Sequence, residues 1–91
     1  MRNGRRFVIM HEFSLARNLV RLAEGRLPPE GPRSVRRVTV RLGAFTGITM
    51  ESLTAAFELA SEGTALQGAK LEIEPGEGSD LLLVSLEVGD S

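Results

Sequence analysis

The sequence predicts an α+β domain: two helices packed on one face of a three-stranded sheet, in the order α-β-α-β-β. Three observations lead there. Residues 14–25 and 49–63 carry apolar side chains at helical spacing between capping residues. Residues 34–43, 69–75 and 80–88 alternate, or run apolar, over the length of a strand. Segments rich in Pro and Gly separate the elements. A chain of 91 residues suits one domain of modest core.

In "SLARNLVRLAEG", Leu15, Leu19 and Leu22 fall within about 60° of one another at 100° per residue, with Arg17, Arg21 and Glu24 on the other side. Ser14 is placed to cap the start, and Gly25 to end the helix. "RLPPEGP" then interrupts regular structure through Pro28, Pro29 and Pro32. "SVRRVTVRLG" puts Val38, Val40 and Leu42 on one face and Arg37, Thr39 and Arg41 on the other, a half-buried strand. "GAFTG" follows as a loop. In "TMESLTAAFELASEG", Thr49 is the N-cap, Glu51 sits near the positive end of the helix dipole, and Gly63 fits a left-handed cap. Met50, Leu53, Ala56, Phe57 and Ala60 make its inward face. "AKLEIEP" alternates Leu71 and Ile73 against Lys70, Glu72 and Glu74, the two glutamates reading as a solvated face. "GEGS" is a loop. "DLLLVSLEV" is the third strand, its first four apolar residues suggesting cover on both faces at one end. The first two strands are expected to form a parallel crossover through the second helix, with the third returning antiparallel through the short loop.

Composition excludes several functions. The net charge is −1 and there is no Trp or Tyr, which argues against nucleic acid and anionic membranes as partners. No apolar run approaches the ~20 residues of a membrane span, and "MRNGRRFVIM" is too short in apolar residues for a signal-peptide core, so a cytoplasmic location is expected. With no cysteine, a disulfide, a thiolate nucleophile and a cysteine-based zinc site are all impossible, and zinc is not expected as a cofactor. His11 is the only histidine, and no catalytic triad or phosphate-binding loop is signalled; the chain reads as a non-enzyme.

The stretch that carries chemistry is "MHE", Met10 to Glu12. In a chain beginning at Met10, the α-amine, the His11 amide nitrogen and the His11 imidazole Nδ1 can bind one metal ion through a five-membered and a six-membered chelate ring. Such a planar nitrogen set suits Ni(II) or Cu(II). Glu12 either donates an oxygen or holds the imidazole. With Met10 acylated by Ile9 the amine is lost. Residues 1–9, which show no folding pattern, therefore read as an N-terminal extension, a tail or a mis-assigned start, ahead of a domain over 10–91.

From Met10 onward the chain resembles HypA/HybF, the nickel metallochaperone family of hydrogenase maturation. The resemblance is carried in order by "MHEFSLARNLV", "VRRVTVRLGAFTGI", "ESLTAAFELASEGT", "GAKLEIE" and "DLLLVSLEV". It implies that Met10, His11 and Glu12 match the family's nickel motif. It also implies a HypB-like GTPase as partner, the hydrogenase large subunit as a further one, and nickel delivery to [NiFe]-hydrogenase as the function. The rival reading is a degenerate module that keeps the GTPase-docking fold but handles no metal. One departure stands out. Relatives carry a zinc ribbon with two cysteine pairs between the second and third strands, where this chain has only "GEGS". A hairpin would close that gap if the two strands are antiparallel neighbours.

Overall fold

In the computed structural model the elements run α1 (Arg2–Gly25), β1 (Ser34–Gly43), α2 (Met50–Ser61), β2 (Lys70–Gly76) and β3 (Leu81–Gly89). The structure describes the backbone of residues 2–30 and 34–89, and within these the side chains from residue 12 onward. The class and order are those the sequence predicts.

α1 differs from expectation at its start. It is helical from Arg2, so the stretch 2–9 is not irregular, and Ser14 lies exposed inside the helix, where it caps nothing. The reason is visible in the chain: from Arg5 to Glu24 there is neither Pro nor Gly, and a nucleated helix propagates until something stops it. Gly25 does stop it. Arg26 N then donates to Ala23 O at 3.0 Å and Leu27 N to Glu24 O at 3.1 Å in a closing turn. The buried stripe is also rotated. Ala16, Leu19, Val20 and Ala23 are buried, while Leu15 is half-buried and Leu22 is 46% exposed. The small side chains at Ala16 and Ala23 seat α1 closely in the core. Leu15 and Leu22 are left on its flank, where they line an open cleft with Leu81 and Leu83.

α2 begins as expected. Thr49 Oγ1 accepts from Ser52 N at 3.1 Å, one of the helix's otherwise unpaired first donors. Leu53 and Phe57 are buried, but Met50 is 58% exposed rather than inward. Met50 opens the first turn, before the helix meets the core, and Ile48 ahead of the cap is buried in its place. Gly63 has the expected positive φ, 77°, and its N–H donates to Gln67 Oε1 at 2.7 Å. The turn that follows buries Leu66 completely, a core residue outside every predicted element.

The sheet order is β2-β1-β3. β1 and β2 are parallel from Arg37↔Lys70 to Gly43↔Gly76, joined through α2 as anticipated. β3 is antiparallel, but to β1, from Ser34↔Gly89 to Leu42↔Leu81. β2 and β3 are therefore not neighbours, and residues 77–80 form no hairpin; they cross the end of β1. Three backbone bonds hold the crossing: Gly43 N to Asp80 O at 2.9 Å, Ala44 N to Gly76 O at 3.0 Å, and Phe45 N to Gly78 O at 2.8 Å. β1 buries Val35, Val38, Val40 and Leu42 toward the helices. The other sheet face is open, so β3 is not covered on both sides: Leu82 is 52% exposed, and Val84, at a register shift, 42%. On that face Arg37 pairs with Glu72 at 3.2 Å and Glu87 at 3.4 Å, and Arg41 with Glu74 at 3.2 Å, the solvated charged surface that the alternation implies. Among the described residues no helix is long and apolar enough to cross a membrane.

Candidate metal centre

Of the three residues of the Met-His-Glu motif, the structure places one side chain. Glu12 is half-buried at the groove between α1 and α2, with Phe13, Arg17, Ser52 and Leu59 around it. Met10 and His11 lie on the α1 backbone, and their side chains are outside the described residues. The backbone alone still decides something. In the chain that includes residues 1–9, Met10 has no free amine, and the His11 amide sits in the interior of a helix, where each N–H is directed to the carbonyl four residues back. A planar chelate needs that amine free and that amide nitrogen deprotonated. In a helix that starts at Met10, the first four N–H groups have no intrahelical acceptor. Metallation of the His11 nitrogen then breaks no helix hydrogen bond.

Among the described residues no group of three or more His, Cys, Asp or Glu side chains is arranged to hold a metal. The acidic residues of the open sheet face, Glu72, Glu74 and Glu87, are engaged with Arg37 and Arg41.

A family model described as hydrogenase/urease nickel incorporation, metallochaperone, HypA matches residues 10–80. The chain belongs to the HypA family. Hydrogenase maturation factor HypA of Roseiflexus sp. is 45% identical over 65 residues, covering 71% of this chain and 53% of that protein. The corresponding factor of Deinococcus radiodurans is 42% identical over 71 residues, covering 76% and 59%. The chain thus spans about half the length of the curated relatives it matches. The fold matches the solution structure of the Ni metallochaperone HypA from Helicobacter pylori with a TM-score of 0.71 at 18% identity, over 88% of this chain and 98% of that one. The family match opens on Met10, the residue whose amine the chelate requires.

Proposed function

We propose that the domain from Met10 carries nickel(II) as cargo for the maturation of [NiFe]-hydrogenase, as a metallochaperone rather than an enzyme. The observation that carries this reading is the coincidence of two starts: the family match begins at residue 10, and so does the only segment able to form a planar nitrogen chelate. In this reading Met10 provides the amine, His11 the amide nitrogen and imidazole, and Glu12 the adjoining carboxylate. Residues 1–9 are an extension that silences the site while attached. A HypB-like GTPase is the proposed partner in delivery, with the hydrogenase large subunit as recipient.

Among the described residues the buried core begins at Ala16, so the 10–91 chain retains that core. Titrating the 10–91 and 1–91 chains with Ni(II), followed by the absorption of planar Ni(II), tests the reading. The 10–91 chain is expected to bind one ion, more weakly as pH falls because protons compete for all three nitrogens. His11→Ala is expected to abolish most of the binding. Equal binding by both chains would refute the amine ligand. A 10–91 chain that binds no nickel but still binds the GTPase would establish the interaction module instead.

A further inference from the structure

The exposed apolar side chains are unevenly distributed. Among the described residues, Leu22, Leu82, Val84 and Val88 are 40% exposed or more, and all four lie on β3 or on the α1 flank beside it. β3 is also a sheet edge: among the described residues β1 is its only strand neighbour, so its outward N–H and C=O groups meet no other strand. The two edges of the sheet differ. β2 carries Lys70, Glu72, Glu74 and Pro75, the charges and the proline that discourage another strand from adding. β3 has a single charge, Glu87, and Arg37 engages it at 3.4 Å. An open apolar edge of this kind pairs readily with another strand.

We propose that this edge is covered by a second copy of the chain, paired β3 to β3 and α1 to α1 about a two-fold axis normal to the sheet. The edge is self-complementary under that symmetry. Leu15 lines a cleft with Asp80 and Leu81, and Leu22 lines the next with Leu81 and Leu83, so α1 and β3 run in the same direction. One rotation therefore makes both the helix pair and the strand pair antiparallel. Leu15, Asn18 and Leu22 are spaced by three and four residues, the interval of a helix–helix seam. An axis through Asn18 sets Leu15 against the partner's Leu22 on each side. The Asn18 amide, both donor and acceptor, then meets its own copy. In β3 the register shift at Val84 interrupts the edge and confines regular pairing to Leu81–Leu83, the stretch beside that seam. An axis at Leu82 pairs Leu81 with the partner's Leu83 on the helix side, and Leu82 with the partner's Leu82 on the open face. Neither the seam nor this strand segment carries a charge, so the symmetry opposes no like charges along them. The area is small. Half a dozen matched residues a side fall short of the roughly 20–30 of a standard interface, so the dimer is expected to be concentration-dependent, with a Kd of roughly 10–100 μM.

Sedimentation velocity of the 1–91 chain over a dilution series tests this. The mass is expected to rise from one chain toward two with concentration. Leu22→Glu, at a site already exposed in the single chain, is expected to raise the dissociation constant at least tenfold with the circular dichroism unchanged. The chain has no cysteine, so single-cysteine variants report the geometry directly. Asn18→Cys and Leu82→Cys lie on the axis, on opposite faces of the sheet, and each is expected to give a disulfide-linked dimer on oxidation with diamide. Leu59→Cys, exposed on α2, is not. A chain that stays monomeric up to about 1 mM overturns the proposal. So does a dimer that neither axial cysteine links, or one linked more readily through Leu59→Cys, which would place the contact on the outer surface of the helices.

Discussion

Gly43→Ala is expected to be among the most damaging single-methyl changes in this domain. A Cβ at Gly43 would stand 2.4 Å from Gly78 O, 2.8 Å from Gly78 C and 3.1 Å from Asp80 N. All three are backbone atoms, so no side chain can swing aside; the crossing loop itself has to move. Overpacking of this kind costs about 1–3 kcal/mol. Displacing the loop also weakens the bonds from Gly43 N, Ala44 N and Phe45 N, each with a net contribution of about 1 kcal/mol. If one or two of the three are lost, the total is about 2–5 kcal/mol. That is a large share of the ~5–13 kcal/mol expected for a chain of this length. Urea unfolding followed by circular dichroism measures it, with Gly25→Ala as the control, since a Cβ there meets nothing within 4 Å. A Gly43→Ala midpoint that reports less than about 0.5 kcal/mol of destabilisation would show that the loop is not clamped to β1 as described.

Arg37→Ala removes the centre of the cross-strand ladder to Glu72 and Glu87, yet these side chains are largely exposed, so the loss should stay below about 1 kcal/mol and shrink further in 1 M salt; the same urea titration at two ionic strengths checks it. Phe57→Ala, at a fully buried site, should cost about 3–5 kcal/mol and lower the thermal midpoint by well over 10 °C in a calorimetric scan. Treatment with a strong chelator should leave the circular dichroism spectrum unchanged, because the core consists of aliphatic and aromatic side chains; a large loss of structure would reveal a folding metal.

Periodicity carried much of the fold into view. Val38, Val40 and Leu42 had to share a face once β1 was a strand, and Thr49 and Gly63 bracket α2 through local chemistry that needs no tertiary contact. What periodicity does not encode is what lies opposite. Leu22 matches the apolar spacing of α1 as well as Leu19 does, but only the arrangement of α2 and β3 decides that Leu19 is buried and Leu22 is not. Leu66 sits in a turn with no repeat to betray it. A short loop between two strands ordinarily means a hairpin, and nothing in "GEGS" announces that β1 lies between them. In the candidate site, Met10, His11 and Glu12 are legible because adjacent residues suffice for a chelate.

With β1 between them, β2 and β3 are spaced by two strand widths, about 10 Å, and that separation is set by the sheet rather than by whatever joins them. The end of the sheet therefore works as a socket with two fixed terminals. Residues 77–80 bridge the terminals here, seated on β1, but any segment whose own ends lie about 10 Å apart could be plugged in without altering the pairing of a single strand. A folded module spliced in at Gly78 would stand over the tip of the central strand, beside Phe45 and the start of β3, carried by this domain but mechanically separate from its core.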